Sequence, residues 1–366
     1  MTPLLKMLLL LSASGSSPGG LLAAAEKQNV GPDEFLEGGP ALWERLGYPE
    51  GTVRKLAGLS ARRWPEEEAA AAERNGVKLL TFDCAGFPEN LAGLPGGPLL
   101  LYVRGKWPLE GPSLAVVGTR KCSPYGKKVA TEIGRAAAEA GAVVISGGAV
   151  GIDGAAHEGC LDGGGSTIAV LGTGVDIFYP GGHEDLFRRI LDCGGALVSE
   201  YPFGTPPRPW RFPERNRIIA GMADRLAVVE APHKSGAMST ARYALEEGKE
   251  VWAVPGRITE EACGGSNRLI FDGAHPLVSI SEFAALVFDR QLSLFPEEEK
   301  RKKTPFFTEK EQKILSVLKK YGERTVDNIA VECTMSPADV LSCLAVLAAA
   351  GRVFPSGPGR WSGSPG

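Results

Sequence analysis

The sequence has no Cys-x-x-Cys pair, and its seven cysteines, Cys84, Cys122, Cys160, Cys193, Cys263, Cys333 and Cys343, stand at scattered positions. That argues against a disulfide framework and fits a reducing, cytoplasmic setting. Histidine is scarcer: His157, His183, His233 and His275 are dispersed, and none lies at zinc-ligand spacing from a cysteine or another histidine. No structural metal is expected. No spacing suggests a Ser-His-Asp or Cys-His set, and Asp153 with His157, at i and i+4, is expected to be a helix-surface or capping pair. The G-x-G-x-x-G of dinucleotide binding and the Gly-Lys-Ser/Thr of a P-loop are both absent, so no cofactor is expected. Positive charge is not in excess either. The formal charge is -3, so any contact with nucleic acid must come from a local basic patch. No apolar run approaches the length of a membrane span. The opening MTPLLKMLLLLSASGSS imitates a secretory signal, but its apolar run is short, and it reads as the first amphipathic helix of a small domain.

What is present falls into three parts and a linker. Residues 1–75 read as short helices punctuated by Gly and Pro: Pro3 to Leu11, Gly20 to Lys27, Gly39 to Leu46, Pro49 to Leu56, and an Ala-rich run after Pro65. From Val77 the pattern changes to short apolar runs separated by helical stretches: VKLLTF, LLLYVRG, LAVVG, VVIS, TIAVL, ALVSE, RLAVVE and EVWAVP. Runs with little alternation suit strands buried on both faces, and intervening helices predict parallel pairing. Residues 76–290 are therefore expected to form an α/β domain with a doubly wound, mostly parallel, Rossmann-like sheet. Residues 291–305, with a Pro, three acids and then four basic residues, read as a linker. Beyond it, Thr308 with Glu311 predicts a capping box for a helix through Lys320. A second helix after Thr325, a third from Ser336-Pro337 to a stop at Gly351, and a hairpin in RVFPSGPGRW give residues 306–366 the order of a winged helix.

In an open parallel sheet, ligands bind at the carboxyl ends of the strands. After LAVV come Gly118, Thr119, Arg120, Lys121 and then Lys127 and Lys128, four cations with no acid between them at the start of a helix. That suits a phosphate. Ser146, Gly147 and Gly148, with Gly151 beyond, permit close backbone approach by a ligand, although glycines also serve plain strand-to-helix turns. After TIAVL, Phe178 and Tyr179 can stack on bases if exposed or close the core if buried. The stretch with Arg208, Arg211, Arg215, Asn216 and Arg217 holds four arginines against the single acid Glu214, which suits a polyanion better than a solvated face. Lys234, Ser235 and Gly236 open one more helix after a strand. Five strand ends are thus expected to converge on one anion-binding shelf. There Arg120, Lys121, Arg215 and Arg217 neutralise phosphates, while Gly147, Gly148, Ser235 and Gly236 offer N–H groups. Pro255-Gly256 and Gly265-Ser266-Asn267 repeat the theme.

In order, the runs VVGTR, ISGGAVGIDGAAH, TIAVLGTGVDIFYP, SEYPFG, FPERNRIIAGMA, SGAMSTARYALEEGKEVWAVPG and GSNRLIFDGA resemble the DprA/Smf (DNA-processing protein A) family, across roughly Thr81 to Phe283. The resemblance implies an extended Rossmann domain, commonly flanked by a sterile-alpha-motif-like domain and a winged helix. It also implies a non-enzymatic role in natural transformation: a homodimer that binds and protects incoming single-stranded DNA and loads the RecA recombinase onto it. Its DNA contacts map onto Gly118, Thr119 and Arg120. Many relatives carry a DNA-binding lysine directly after the Tyr-Pro matched by Tyr179-Pro180; here Gly181 stands there, with Arg188, Arg215 or Arg217 as candidates to compensate. The same architecture houses nucleotide phosphoribohydrolases, but the segment Lys234–Thr240 has neither their glycine pattern nor their glutamate. A duplex-reading regulator is the third alternative. Against it, SPADVLSCLAVLAAA carries no cation and one acid where a groove-reading helix should carry Arg, Lys, Asn or Gln.

Overall fold

The computed structural model describes residues 1–94, 96–288, 308–349, 352–357 and 359–363. The expected linker at 291–305, the domain boundary near 290 and the helix stop at Gly351 lie outside these residues. The chain divides into two compact units, Met1–Leu292 and Ser293–Gly366.

Proline in the first turn sets three of the opening helices, α1 (Pro3–Ala13), α2 (Pro18–Lys27) and α3 (Pro32–Arg45). Its missing N–H costs nothing there. Thr2 and Ser17 cap the first two by accepting from the amides of Leu5 and Gly20. Helix α3 starts earlier than the sequence suggests and bends at Gly39 (φ 54°, ψ −148°) before Pro40 restarts it. The expected Gly39–Leu46 helix is its second half. α4 (Glu50–Ala61) and α5 (Trp64–Arg74) complete the bundle. The signal-like run is core: Met7 to Leu11 are buried, several of them against Phe35, Trp43 and Leu56.

The chain then runs through β1 (Val77–Thr81), α6 (Glu89–Ala92), β2 (Leu100–Gly105), β3 (Ser113–Val117), α7 (Pro124–Glu139), β4 (Val143–Ser146), α8 (Ile152–Asp162), β5 (Thr167–Val170), α9 (Glu184–Asp192), β6 (Ala196–Ser199), α10 (Arg211–Met222), β7 (Arg225–Val228), α11 (Gly236–Glu246), β8 (Glu250–Ala253), α12 (Gly264–Phe271), β9 (His275–Pro276) and α13 (Ile280–Val287). All eight apolar runs become strands. They form one sheet of order β1-β2-β6-β5-β4-β3-β7-β8-β9. β6 to β9 pair in parallel in that order, whereas β2 is antiparallel to both β1 and β6. Among the described residues between β1 and β2 the one helix is the four-residue α6, and the pair runs antiparallel.

Alternate residues of the central strands feed opposite cores, as the two-residue period of a strand requires. Ala115 and Val117 face Ile218 of α10 and Ala241 of α11, whereas Leu114 and Val116 face Ile133 of α7 and Ile152 of α8. Helices α7 and α8 touch through glycine. A Cβ on Gly134 would overlap the Ala156 carbonyl oxygen, and one on Gly159 the Thr131 carbonyl oxygen. The amino-terminal bundle joins the sheet at its antiparallel edge, where Leu9 and Ala72 pack with Leu100, Tyr102 and Val175. There the buried Glu68 accepts from the amide of Phe203 at 2.8 Å.

The second unit holds α14 (Glu309–Tyr321), β10 (Arg324–Thr325), α15 (Val326–Cys333), α16 (Pro337–Ala349), β11 (Val353–Gly357) and β12 (Arg360–Gly363). The capping box forms: Thr308 N–H donates to the Glu311 carboxylate at 2.7 Å, and Glu311 N–H donates back to the Thr308 hydroxyl. β10 was not expected. It pairs with β12, giving an antiparallel sheet of order β10-β12-β11. Ile314, Leu318, Ile329, Val340 and Leu344 form the core, and α16 leaves Leu341 and Val346 half exposed. Among the described residues no single helix is long and apolar enough to cross a membrane.

Candidate nucleic-acid interface

The carboxyl ends of β3 and β7 are fastened to each other. Thr119 N–H donates to the carbonyl of Glu230 at 2.7 Å, and the buried Glu230 carboxylate accepts from both the amide and the hydroxyl of Ser123, the residue that caps α7. Gly118 makes the junction possible, because a Cβ there would overlap Ile152. A groove of about 420 Å³ opens beside this junction. Nine of the expected residues line it: Gly118, Thr119, Arg120, Lys121, Arg215, Asn216, Lys234, Ser235 and Gly236. A smaller recess, lined by Arg120, Gly147, Ala149, Tyr179, Phe212 and Arg215, continues it. These residues therefore share one groove, with α10 as one wall.

Several expected roles change. Backbone amides contribute less than the glycine pattern suggests, because many are already occupied. Lys121 N–H donates to Thr119 Oγ1, Gly126 N–H to the Ser123 hydroxyl, and Gly147 N–H to Asp153 at 3.1 Å. Ser146 is fully buried, and its hydroxyl donates to the Val116 carbonyl inside the sheet. Gly148 turns away with φ 66°, and its carbonyl accepts from His183 Nδ1. Arg217 does not reach the groove. It forms a paired contact with Glu200, at 2.6 and 2.9 Å, and donates to the Gly96 carbonyl. Residues two apart on a helix point to nearly opposite faces, so Arg215 and Arg217 cannot serve one site.

Arg215 is itself 4% exposed and donates to the carbonyls of Gly147 and Val170 and to Asn216. Burial pulls its guanidinium down to about 10, with nearby Asp153 opposing that shift, so it remains a cation at neutral pH. Asn216 spends its amide group on the Gly236 carbonyl and the Ser239 hydroxyl, both at 3.0 Å, and so fixes the start of α11. These two shape the groove. Arg120, Lys121 and Lys234 supply its available charge, since among the described residues none of them has an acid within ion-pair distance. Arg188, the remaining candidate to replace a lysine at Gly181, is paired with Glu184 at 2.6 Å. Ser235 carries a buried hydroxyl without a hydrogen-bond partner.

The two aromatic residues divide between their alternatives. Phe178 packs on Phe187 (5.5 Å between centroids), whereas Tyr179 is 39% exposed and lies 5.4 Å from Phe212. Phe212 also lies under the Arg120 guanidinium at 5.1 Å. The sequence reading did not single it out; an aromatic in the first turn of an arginine-rich helix was the available signal. Pro255-Gly256 and the start of α12 lie elsewhere, with Gly256 bonded to Asn267 and lining a separate cavity beside Tyr125.

Asp153 and His157 are not a surface pair. Asp153 lines the groove as a buried acid, and burial raises its carboxyl above the usual range against the pull of Arg215. His157 is fully buried, with Nδ1 2.7 Å from the Thr167 hydroxyl. That hydroxyl donates to Val144, so Nδ1 carries the proton and Nε2, which has no partner, is bare. Desolvation first, then the charges of His183 and Arg215, push the imidazole down to about 3. Below pH 6.5 the unfolded chain takes up a proton that the folded chain refuses, so stability falls as the pH falls. From pH 7 to pH 5 the expected loss is about 2 kcal/mol. Urea unfolding at the two pH values checks it, and His157→Asn, which keeps the donor, should remove this part of the slope.

Comparison with known proteins identifies the family. Residues 78–287 match the family model of DNA recombination-mediator protein A. The putative DNA processing protein DprA of Mycobacterium tuberculosis is 39% identical over 267 residues, 72% of this chain and 68% of the relative. The DNA processing protein DprA of Streptococcus pneumoniae is 41% identical over 198 residues, covering 54% and 69%. The solved structure of the S. pneumoniae protein superposes with a TM-score of 0.64 at 31% identity, covering 78% of this chain and 97% of that one. A DNA processing protein A structure from Helicobacter pylori, described for its single-stranded DNA binding mode, gives a TM-score of 0.53 at 30% identity and covers 58% and 96%. The chain belongs to the DNA recombination-mediator protein A family, the DprA/Smf proteins.

Proposed function

We propose that this chain is a single-stranded DNA-binding protein of DNA processing in natural transformation, which holds the incoming strand on the groove between β3, α10 and β7 without cutting it. The observation that carries this reading is the meeting of three unpaired cations, Arg120, Lys121 and Lys234, with the Tyr179–Phe212 aromatic pair. Cations neutralise phosphates, and rings stack on unpaired bases of any sequence. Membership of the family supports the wider role: protection of the strand in the cytoplasm and loading of RecA by a homodimer. Ile258, Phe271 and Val278, in the segments around α12 and the sheet's last strand β9, are largely exposed and give a dimer apolar surface to bury. Two grooves on paired protomers would also strengthen binding through effective concentration.

The test compares a labelled single strand with a duplex of the same length at 50 and 200 mM salt. The single strand should bind at least about tenfold more tightly, and its affinity should fall about 20-fold or more across that range, as three or four phosphate contacts imply. Equal binding of duplex, or no salt dependence, would remove the proposal. Release of base or ribose phosphate from a nucleoside monophosphate by the pure protein would favour the phosphoribohydrolase alternative.

A further inference from the structure

Trp210 is 58% exposed, immediately ahead of α10. A single exposed apolar side chain is ordinary, but the setting of this one is not. Its neighbours Pro209 and Phe212 line the groove, so the ring stands where the groove wall meets solvent. Arg208 lies over the indole at 5.9 Å, and Arg211 over the Tyr201 ring at 5.1 Å. Among the described residues neither arginine has an acid within ion-pair distance. The nearby Glu214 bonds to the Tyr201 hydroxyl at 3.1 Å. An exposed ring with Arg208 over it, and with Arg211 next in the chain lying over Tyr201 and donating to the Pro206 carbonyl, stands beside a cationic groove and offers a base face with phosphate partners.

We infer that Trp210, with Arg208 and Arg211, is a second base-stacking platform at the rim, which engages the strand as it leaves the groove. This rests on the single-strand reading above and deepens it. The platform adds contacts only for strands long enough to reach it, so it sets the length over which affinity rises. It is indifferent to sequence, because each base offers a π face, and it rejects duplex, whose bases are already stacked.

The experiment measures affinity for thymidine oligonucleotides of 4 to 20 nucleotides with the full chain, Trp210→Ala, Trp210→Phe and Arg120→Ala. For Trp210→Ala, short strands should bind as they do to the unchanged protein and long strands about tenfold more weakly. Trp210→Phe should restore most of the loss. Long strands with abasic sites at the end that reaches the rim should be insensitive to the alanine change. Intrinsic fluorescence gives an independent readout: quenching by long oligothymidine should be largely lost in Trp210→Ala. Unchanged long-strand affinity in Trp210→Ala, with binding lost in Arg120→Ala, overturns the platform and leaves the groove standing. Equal weakening at every length also overturns it. A harmless Arg120→Ala removes the groove reading and the platform together.

Discussion

Arg120→Ala should weaken binding of every single-stranded sequence alike, by about 10- to 100-fold, the worth of one charge-assisted contact to phosphate. The guanidinium lies over the Phe212 ring at 5.1 Å and has no acidic partner among the described residues. Its face is therefore supported while its N–H edge stays free for oxygen. Loss of one phosphate contact should also reduce the slope of log affinity against log salt by about 0.7. Arg120→Lys keeps the charge but not the planar stack, so it should recover part of the affinity. Charge reversal in Arg120→Glu should cost more than alanine. A change in base preference with overall affinity intact would show that this arginine reads sequence and that the groove has been misjudged. Arg217→Ala is the contrasting case: its guanidinium is committed to Glu200, so any effect should appear in stability before affinity.

Gly159→Ala should destabilise the first unit by about 3 kcal/mol, the scale of an overpacked interior, despite the better helix propensity of alanine. The added methyl would overlap the Thr131 carbonyl oxygen, and the obstacle is backbone inside α7, which cannot rotate aside like a side chain. The two helices must separate or bend. Their amino-terminal ends follow the Gly118–Lys121 loop and the Gly147–Gly151 turn, so binding should decline with stability. Gly182→Ala is the control, since nothing lies within 4 Å of a Cβ there. Urea unfolding distinguishes the two variants. Equal stability of Gly159→Ala and the unchanged chain would mean that α7 and α8 are not held at glycine distance.

Much of this architecture was legible because it depends on local pattern. The eight apolar runs needed burial on both faces and became strands, and Thr308 with Glu311 carries its own reciprocal bonding. The antiparallel course of β2 was less legible, since an apolar run does not record the direction in which its strand pairs. The site divides along the same line. Arg120 and Lys234 follow strands directly and are where position predicts. Arg215 and Arg217 look equivalent as letters, yet helix register sends one toward Gly147 and the other to Glu200. Asp153, expected in a helix-surface or capping pair with His157, is instead buried against the Gly147 amide, which becomes a partner only once the turn before α8 has closed.

The seam between the amino-terminal helices and the sheet has a historical consequence. Leu9 and Ala72 shelter Tyr102 and Val175, and Glu68 holds the Phe203 amide. A lineage that discarded or exchanged those helices could not do so as a clean cassette swap. It would have to furnish a replacement roof for the tyrosine and another acceptor for that amide in the same step, or remodel the outer strands to need neither.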